Sequence, residues 1–142
     1  MAKRYVVNMK VRLANKFVTF LVNRGKTDSW ILATTGRVSG KRHEVPVTPV
    51  EIDGVKYLCA PYGRVGWVRN IEAQPQATMK RGGASLRFTA EPVEGDEAGR
   101  AFAKYYADNK KYVDPYVAIA GDKTITDFTA ATKRYPVFKV VT

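Results

Sequence analysis

The spacing of hydrophobic residues first follows a helix and then changes to that of strands. Between residues 10 and 23, apolar side chains fill one broad arc of a helical wheel and polar side chains fill the opposite arc. The basic turn Arg24-Gly25-Lys26 follows, and its glycine is a typical helix stop. The pattern predicts an amphipathic helix over residues 10–23.

From residue 30 onward the spacing is that of β-strands joined by tight turns. Apolar or alternating runs between turn residues predict strands at 30–35, 44–52, 55–60, 76–81, 84–93 and 134–141. Asp53-Gly54 and Gly82-Gly83 are the turns of two hairpins. Pro46 and Pro49 place the second strand at a sheet edge or beside a bulge, because proline cannot donate to the ladder.

Two further helices are predicted, at residues 66–74 and 95–111. Pro75 ends the first. The second begins with acidic residues and ends with Lys110-Lys111, which suits the helix dipole. Its inner face combines Ala98, Ala101, Phe102, Tyr105 and Tyr106. We therefore expect one α+β domain over residues 1–142, mainly β, whose antiparallel sheet curls into a small barrel covered by helices 10–23 and 95–111.

Composition excludes several classes of protein. The 142 residues are 45% hydrophobic, which is enough to bury a core. Cys59 is the only cysteine and His43 the only histidine, so we expect no intramolecular disulfide and no metal. No apolar run reaches the ~18 residues of a membrane span, and the basic N-terminus lacks the pattern of a signal peptide. The sequence thus predicts a cytoplasmic protein.

Positive charge is concentrated in the first third of the chain. The formal net charge is +11, and residues 1–43 hold ten basic residues against one acid, Asp28. This imbalance predicts an anionic partner, for which nucleic acid, a lipid surface and an acidic small molecule are alternatives. Helix 10–23 suits peripheral contact with anionic lipid at the inner face of the membrane, although packing on its own domain explains the same pattern.

The segment 34–43 concentrates cations between glycines at the end of the first strand. It reads Thr-Thr-Gly-Arg-Val-Ser-Gly-Lys-Arg-His. Glycines let backbone N–H groups approach an anion, and Arg and Lys neutralise it. The spacing is neither that of a Walker A loop nor that of a dinucleotide fingerprint. The segment therefore predicts a phosphate or carboxylate cradle, with an ordinary solvated basic turn as the alternative.

The segment 60–70 places a glycine-rich loop with Tyr62 and Trp67 before a short helix. Exposed backbone groups beside aromatic walls are typical of sites for flat ligands. Alternatively, Trp67 only anchors the helix in the core, while Asn70 caps or fastens the loop. Cys59 lies in an apolar strand pattern, and no side chains pair as nucleophile and base. If the protein is an enzyme, a bound cofactor supplies the reactive centre.

Together and in this order, the two segments resemble the deazaflavin-dependent nitroreductase family. These are the split β-barrel oxidoreductases of actinobacteria that use reduced coenzyme F-420. The motifs that carry the resemblance are Thr-Thr-Gly-Arg-x-Ser-Gly-Lys at 34–41, Val45-Pro46, Asp53-Gly54, Ala60 with Gly63, and Trp67-x-x-Asn70. The resemblance covers roughly residues 10–93. It implies a split β-barrel with the coenzyme in its groove.

The resemblance also implies a set of coenzyme-binding residues. The cationic loop binds the phosphate and oligoglutamate tail, the following strand continues along the groove, and the loop after residue 59 meets the polar edge of the deazaflavin. The implied residues are Arg37, Ser39, Gly40, Lys41, Arg42, His43, Pro46, Thr48, Ala60, Pro61, Tyr62, Gly63, Trp67 and Asn70. His43 stands where many members carry an arginine, which makes one tail contact weaker or dependent on pH.

The implied activity is hydride transfer from the reduced coenzyme to a hydrophobic, electron-poor acceptor such as a quinone, an enone or a nitro compound. Tyr62, Tyr112 and Tyr116 are the expected walls of the acceptor pocket, and no catalytic residue is assigned. One alternative is a split barrel that binds flavin mononucleotide. Another is a basic nucleic-acid-binding module, but the cations are not interleaved with aromatics, so we expect no nucleic-acid partner. A monomer and a homodimer are both compatible with the sequence.

Overall fold

The computed structural model of the chain describes residues 29–119 and 121–142, so the helix predicted over 10–23 lies outside the described residues. The strands are β1 (Trp30–Thr35), β2 (Arg42–Val47), β3 (Val50–Ile52), β4 (Val55–Cys59), β5 (Gln76–Arg81), β6 (Ala84–Pro92) and β7 (Val137–Val141). The helices are α1 (Gly66–Ala73), α2 (Gly95–Val113) and α3 (Ile125–Ala131). Among the described residues, no helix has the length and hydrophobicity of a membrane span.

The seven strands form one antiparallel sheet in the order β2-β1-β5-β6-β7-β4-β3. The sheet curls into a half-barrel, which confirms the predicted split β-barrel with helical cover. The prediction of one strand over 44–52 is wrong. It is two strands at opposite edges of the sheet, because the chain leaves β2 after Val47 and Pro49 removes a backbone donor before β3 begins. Pro46 lies on the edge strand β2, as predicted.

Both hairpins form at the predicted turns. Asp53 and Gly54 have φ angles of 51° and 80°, the conformation of a type I′ turn between β3 and β4. Gly82, with φ of 56°, turns the chain between β5 and β6. These turns set the register that brings Val50 opposite Tyr57 and Ala77 opposite Phe88.

Two hydrophobic cores occupy the two faces of the sheet. The first lies inside the curl and is closed by α1, whose Val68 and Ile71 pack with residues from β1 to β7. The second lies between the β3-β4-β7 part of the sheet and the pair α2 and α3. In β4, Leu58 belongs to the first core, whereas its neighbours Tyr57 and Cys59 belong to the second. The reason is that successive side chains of a strand point to opposite faces of the sheet.

The predicted inner face of α2 is buried, and Phe102 is fully enclosed. The short helix α3, which the hydrophobic pattern did not reveal, packs on α2. A Cβ on Gly99 would lie 2.0 Å from Thr129 Oγ1, so this glycine permits the close approach. Thr124 and Asp127 form a reciprocal capping box at the start of α3.

Candidate functional site

The loop between β1 and β2, residues 36–41, is closed by its own backbone. The Gly36 N–H donates to the Lys41 carbonyl at 2.7 Å, and the Gly40 N–H donates to the Gly36 carbonyl at 2.9 Å. Gly40 has φ of 70°, which favours glycine. The Ser39 hydroxyl accepts from the Lys41 N–H at 3.2 Å. The result is a fixed turn that exposes the side chains of Arg37 and Lys41.

His43 packs against this loop. A Cβ on Gly36 would lie 2.6 Å from His43 Nε2 and 2.9 Å from Ser39 Oγ. The His43 imidazole and the Ser39 hydroxyl therefore occupy the space that a side chain at residue 36 would fill. The structure thus brings His43 and Ser39 together at the base of the cationic loop.

Asn70 joins this loop to α1. Its side chain is 4% exposed, and its Oδ1 accepts from Arg37 Nη1 at 2.9 Å and from the Arg37 backbone N–H at 3.2 Å. Its Nδ2 donates to Thr34 Oγ1 at 3.1 Å. Arg37 Nη1 also donates to the Gly66 carbonyl at 3.5 Å. One buried amide thus holds the loop 36–41, the end of β1 and α1 together. The sequence predicted that Asn70 caps or fastens the loop of its own segment, 60–70, whereas these contacts go to the loop between β1 and β2.

The chain after β4 forms a second fixed turn, residues 60–63. The Ala60 N–H donates to the Pro136 carbonyl at 2.9 Å, and the Gly63 N–H donates to the Ala60 carbonyl at 3.1 Å. Gly63 has φ of 79°, and Pro61 is buried. The turn is therefore anchored to the residue before β7.

Tyr62, in this turn, forms one half of an aromatic pair. Its ring lies edge-to-face against that of Tyr116, with centroids 5.1 Å apart, and both side chains are half-buried. Tyr116 belongs to the connector 114–119 between α2 and α3. The Tyr135 hydroxyl accepts from the Ala118 N–H at 3.0 Å and donates to the Tyr116 carbonyl at 3.3 Å. Tyr112 lies in the last turn of α2, and its side chain is outside the described residues.

Trp67 lies in the first turn of α1, next to the carbonyl that Arg37 contacts. Its side chain is half-buried, and its ring lies edge-to-face against the ring of Phe138, with centroids 6.1 Å apart. It packs against the core inside the curl. The structure therefore supports the anchoring role considered for Trp67, while part of the ring remains accessible.

The predicted residues of β2 lie on two faces of that strand. His43 alternates with Val45 on the face that packs inside the curl, whereas Arg42 and Pro46 lie on the opposite face. Arg42 pairs with Glu44 on that face at 3.1 Å. The structure thus separates Arg42 from His43. Beyond the strand, Thr48 lies near Ser29, with 3.1 Å between the two hydroxyl oxygens.

A groove of about 610 Å³ lies on the opposite face of the sheet from α1. Of the predicted site residues, Gly40 and Arg42 line it. Its other lining residues include Thr35, Thr78, Arg87 and Thr89. The polar side chains that line it are those of arginine, threonine and glutamine residues.

Sequence reasoning missed Thr34 and Tyr135 as parts of this architecture. Thr34 is 3% exposed and shares a strand face with buried Leu32. A polar residue on an apolar face needs a buried partner, and this signal could have led to Asn70. Tyr135 is 2% exposed in the segment before β7, where nothing in the sequence pattern predicts a contact with the connector.

Two groups of the second core that could act as nucleophiles, Cys59 and Tyr105, are buried. Cys59 is buried, as predicted, and burial raises the pKa of its thiol. Burial also raises the pKa of the Tyr105 hydroxyl. Both groups therefore stay protonated at neutral pH.

Comparison with known families gives the site its context. The profile of the F420H(2)-dependent quinone reductase family matches residues 2–128. The chain belongs to this family. It is therefore an oxidoreductase, and the resemblance drawn from the sequence is confirmed. The dependence on reduced coenzyme F-420 is what the name of the family indicates.

Solved structures agree with this assignment. An F420-H2 dependent reductase, FDR-A, is 26% identical, with a TM-score of 0.57, over 80% of this chain and 93% of that one. A structure described as a domain-swapped dimer is 22% identical, with a TM-score of 0.57, over 92% and 96% of the two chains. A conserved hypothetical protein of Mycobacterium tuberculosis is 20% identical, with a TM-score of 0.56, over 99% and 84%. The last two likenesses concern the fold alone. Comparison with curated proteins gives no match.

The residues of this family member fit the coenzyme that the family name implies. Arg37 and Lys41 extend from a glycine turn, which suits phosphate and carboxylate groups. The accessible part of Trp67 and the fixed backbone turn at 60–63 suit a flat ring with a polar edge. Asn70 holds the cationic and aromatic parts in one arrangement.

Proposed function

We propose that this protein transfers a hydride from reduced coenzyme F-420 to a hydrophobic, electron-poor acceptor: a quinone, an enone or a nitro compound. The observation that carries the proposal is the Asn70 contact. It joins a loop with two exposed cations to the helix that carries Trp67, and so combines an anion site with an aromatic surface. Membership of the family supports the proposal.

The proposed coenzyme site has a cationic part and a ring part. Arg37, Ser39, Gly40 and Lys41 bind the phosphate and the start of the tail, and Arg42 lies beside them. The other residues proposed to contact the coenzyme are His43, Pro46, Thr48, Ala60, Pro61, Tyr62, Gly63, Trp67 and Asn70. Because Arg37 is held by Asn70, its guanidinium is positioned before the anion binds, which lowers the entropic cost of binding.

The proposed acceptor site lies against the aromatic pair Tyr62 and Tyr116. Their edge-to-face contact makes an apolar wall that suits a planar, hydrophobic acceptor. When bound, the reduced coenzyme supplies the hydride, and a proton from solvent completes the two-electron reduction of a quinone to a hydroquinone. The protein contributes by holding the acceptor within about 3–3.5 Å of the ring and by excluding water.

The cellular setting of the reaction is also a proposal. Peripheral contact with the inner face of the membrane depends on helix 10–23, which lies outside the described residues. The protein acts in the cytoplasm on small molecules, as a monomer or a homodimer.

The proposal is tested by mixing the purified protein with reduced coenzyme F-420 and a naphthoquinone. We expect recovery of the fluorescence of the oxidised deazaflavin, in equal amounts with the hydroquinone formed. Replacing the quinone by an enone and then by a nitroaromatic compound ranks the three acceptor classes by kcat/KM. Oxidation that is no faster than without protein contradicts the proposal. A yellow flavin that co-purifies in stoichiometric amount and supports the same reduction also contradicts it, in favour of flavin mononucleotide.

A further inference from the structure

Four basic side chains that the proposed function does not use are grouped in one place. Arg64, Arg69, Lys133 and Arg134 are all exposed, and we call them the cationic rim. Contacts between distant segments of the chain bring them together. Arg64 Nη1 donates to the Lys133 carbonyl at 3.4 Å, and Arg69 Nε donates to the Arg64 carbonyl at 3.0 Å. The rim therefore joins the chain before α1 to the segment before β7.

The cationic rim carries an excess of positive charge. Arg64 Nε lies 3.3 Å from a carboxylate oxygen of Glu72. In the part of the chain that the structure describes, no carboxylate pairs with Arg69, Lys133 or Arg134. Three of the four cations are thus available to an anion from outside, and a surface of this kind attracts anionic ligands and speeds their association.

The cationic rim adjoins the residues that form the proposed acceptor site. A Cβ on Gly63 would lie 3.6 Å from the Arg134 carbonyl, so the turn that carries Tyr62 packs on the backbone of Arg134. The Arg134 guanidinium lies over the Tyr135 ring, 5.4 Å from its centre. The hydroxyl of that tyrosine donates to the Tyr116 carbonyl at 3.3 Å. Both halves of the aromatic pair are therefore in contact with the segment that carries Arg134.

We propose that the cationic rim selects acceptors that carry a carboxylate or another anionic group beside the ring that is reduced. The inference rests on the proposed function, and it narrows the acceptor from any hydrophobic, electron-poor compound to an anionic one. The ring of the acceptor packs against Tyr62 and Tyr116, and its anionic group binds to Arg134 with Lys133 beside it. A guanidinium suits this role, because it donates two parallel hydrogen bonds to a carboxylate.

An acceptor fits this surface better than the coenzyme does. The phosphate of the coenzyme is assigned to the loop between β1 and β2, where Asn70 holds Arg37. The cationic rim belongs instead to the segments that build and support the aromatic pair. A ligand with a flat apolar ring and an anionic end matches a surface that is aromatic on one side and cationic on the other.

The test uses two acceptors that share a ring and differ in charge. They are a naphthoquinone with a propanoate side chain and the methyl ester of the same compound, each reduced by the protein with reduced coenzyme F-420. We expect kcat/KM to be about tenfold higher for the acid than for the ester at low salt, the size expected for one hydrogen bond to a charged group. About 1 M salt should remove most of this preference, because it screens exposed charges.

Arg134→Gln removes the proposed contact. We expect kcat/KM for the acid to fall about tenfold, while kcat/KM for the ester and the affinity for the coenzyme are unchanged. Lys133→Gln should produce a smaller fall in the same direction, and Arg134→Glu should make the ester the better substrate. Arg100→Gln is the matched control, because Arg100 is exposed on α2 and its loss changes the net charge equally. We expect this variant to prefer the acid as the wild type does.

The outcomes separate this inference from the proposed function. Equal kcat/KM of the wild type for acid and ester overturns the inference, and so does an equal loss for both acceptors in Arg134→Gln. A fall in coenzyme affinity in Arg134→Gln, with the acceptor preference unchanged, also overturns it. Coenzyme oxidation that neither acceptor accelerates in the presence of wild-type protein contradicts the proposed function itself. Circular dichroism verifies that the variants fold, and the comparison of acid with ester in the wild type needs no variant.

Discussion

At the scale of single residues, the site depends on one buried amide. Asn70 donates a hydrogen bond to Thr34 and accepts one from the Arg37 guanidinium. A buried side chain thereby holds the exposed cation of Arg37 in place. The sequence identified Asn70 and Arg37, because both belong to segments with unusual composition. It did not connect them, because their contact spans 33 positions and arises only when α1 packs against β1.

Replacing Asn70 by alanine tests this connection. The change leaves the Thr34 hydroxyl and the Arg37 backbone N–H without this partner, and we expect the free energy of unfolding to fall by about 1–3 kcal/mol. Coenzyme affinity falls as well, because Arg37 is no longer held. Urea denaturation and fluorescence titration measure the two effects.

Thr34→Val is the matched control for Asn70→Ala. It removes the contact of Asn70 with β1 and leaves the two contacts with Arg37. We expect a smaller loss of stability, about 1 kcal/mol, and unchanged coenzyme affinity. If folded Asn70→Ala binds the coenzyme as tightly as Thr34→Val does, Asn70 does not position Arg37.

At the level of secondary-structure elements, the sequence predicted strand boundaries well where a local turn sets them. It predicted them less well where pairing with a distant strand sets them. Asp53-Gly54 and Gly82-Gly83 fixed two hairpins from the sequence alone. The division of 44–52 into β2 and β3 depends on which strands pair at the two edges, and periodicity contains no such information. Helix α3 has only seven residues, too few for a clear hydrophobic period, and its capping box at Thr124 was its one local signal.

The hydroxyl of Tyr135 makes two hydrogen bonds to the backbone of the connector 114–119 between α2 and α3. Tyr135→Phe removes the hydroxyl that contacts Tyr116 and Ala118 and keeps the ring stacked on Phe102 at 5.5 Å. We expect stability to fall by about 1–2 kcal/mol. We also expect KM for the acceptor to rise with coenzyme affinity unchanged, because Tyr116 loses part of its support beside Tyr62.

Tyr57→Phe is the control for this prediction. It also removes a hydroxyl from a buried tyrosine, one that donates to Glu97 at 2.7 Å on the other side of the second core. We expect it to lower stability without changing KM. Equal KM values for the two variants would mean that Tyr135 does not position the acceptor wall.

At the scale of the whole molecule, the core beneath α2 and α3 holds several protonated acids. A hydrogen bond to Glu97, together with burial, raises the pKa of Tyr57 to about 12 from 10.0. Burial and a bond to Asp114 raise the pKa of Tyr106 to about 12. Burial raises the pKa of Cys59 above its ordinary 9.0. The folded protein therefore keeps protons in alkaline solution that the unfolded chain releases.

This difference predicts how stability depends on pH. Below pH 9 these groups are protonated in both the folded and the unfolded state, so they do not make the free energy of unfolding depend on pH. As pH rises through 9 and 10 the unfolded chain loses protons first, and the free energy of unfolding falls until pH reaches about 12. Urea denaturation between pH 8 and pH 11.5 measures the decline. Tyr57→Phe should show a shallower decline above pH 10, and a decline as steep as that of wild type would contradict this account.

Coenzyme titration of Arg37→Ala/Lys41→Ala tests whether the cationic loop between β1 and β2 binds the coenzyme. Losing two charged contacts costs roughly 3–6 kcal/mol in binding free energy, at about 1.5–3 kcal/mol each, so affinity should fall at least a hundredfold. Arg100→Ala/Lys111→Ala removes the same charge from α2 and should bind as the wild type does. Unchanged affinity of the folded loop variant would contradict the account and place the coenzyme elsewhere.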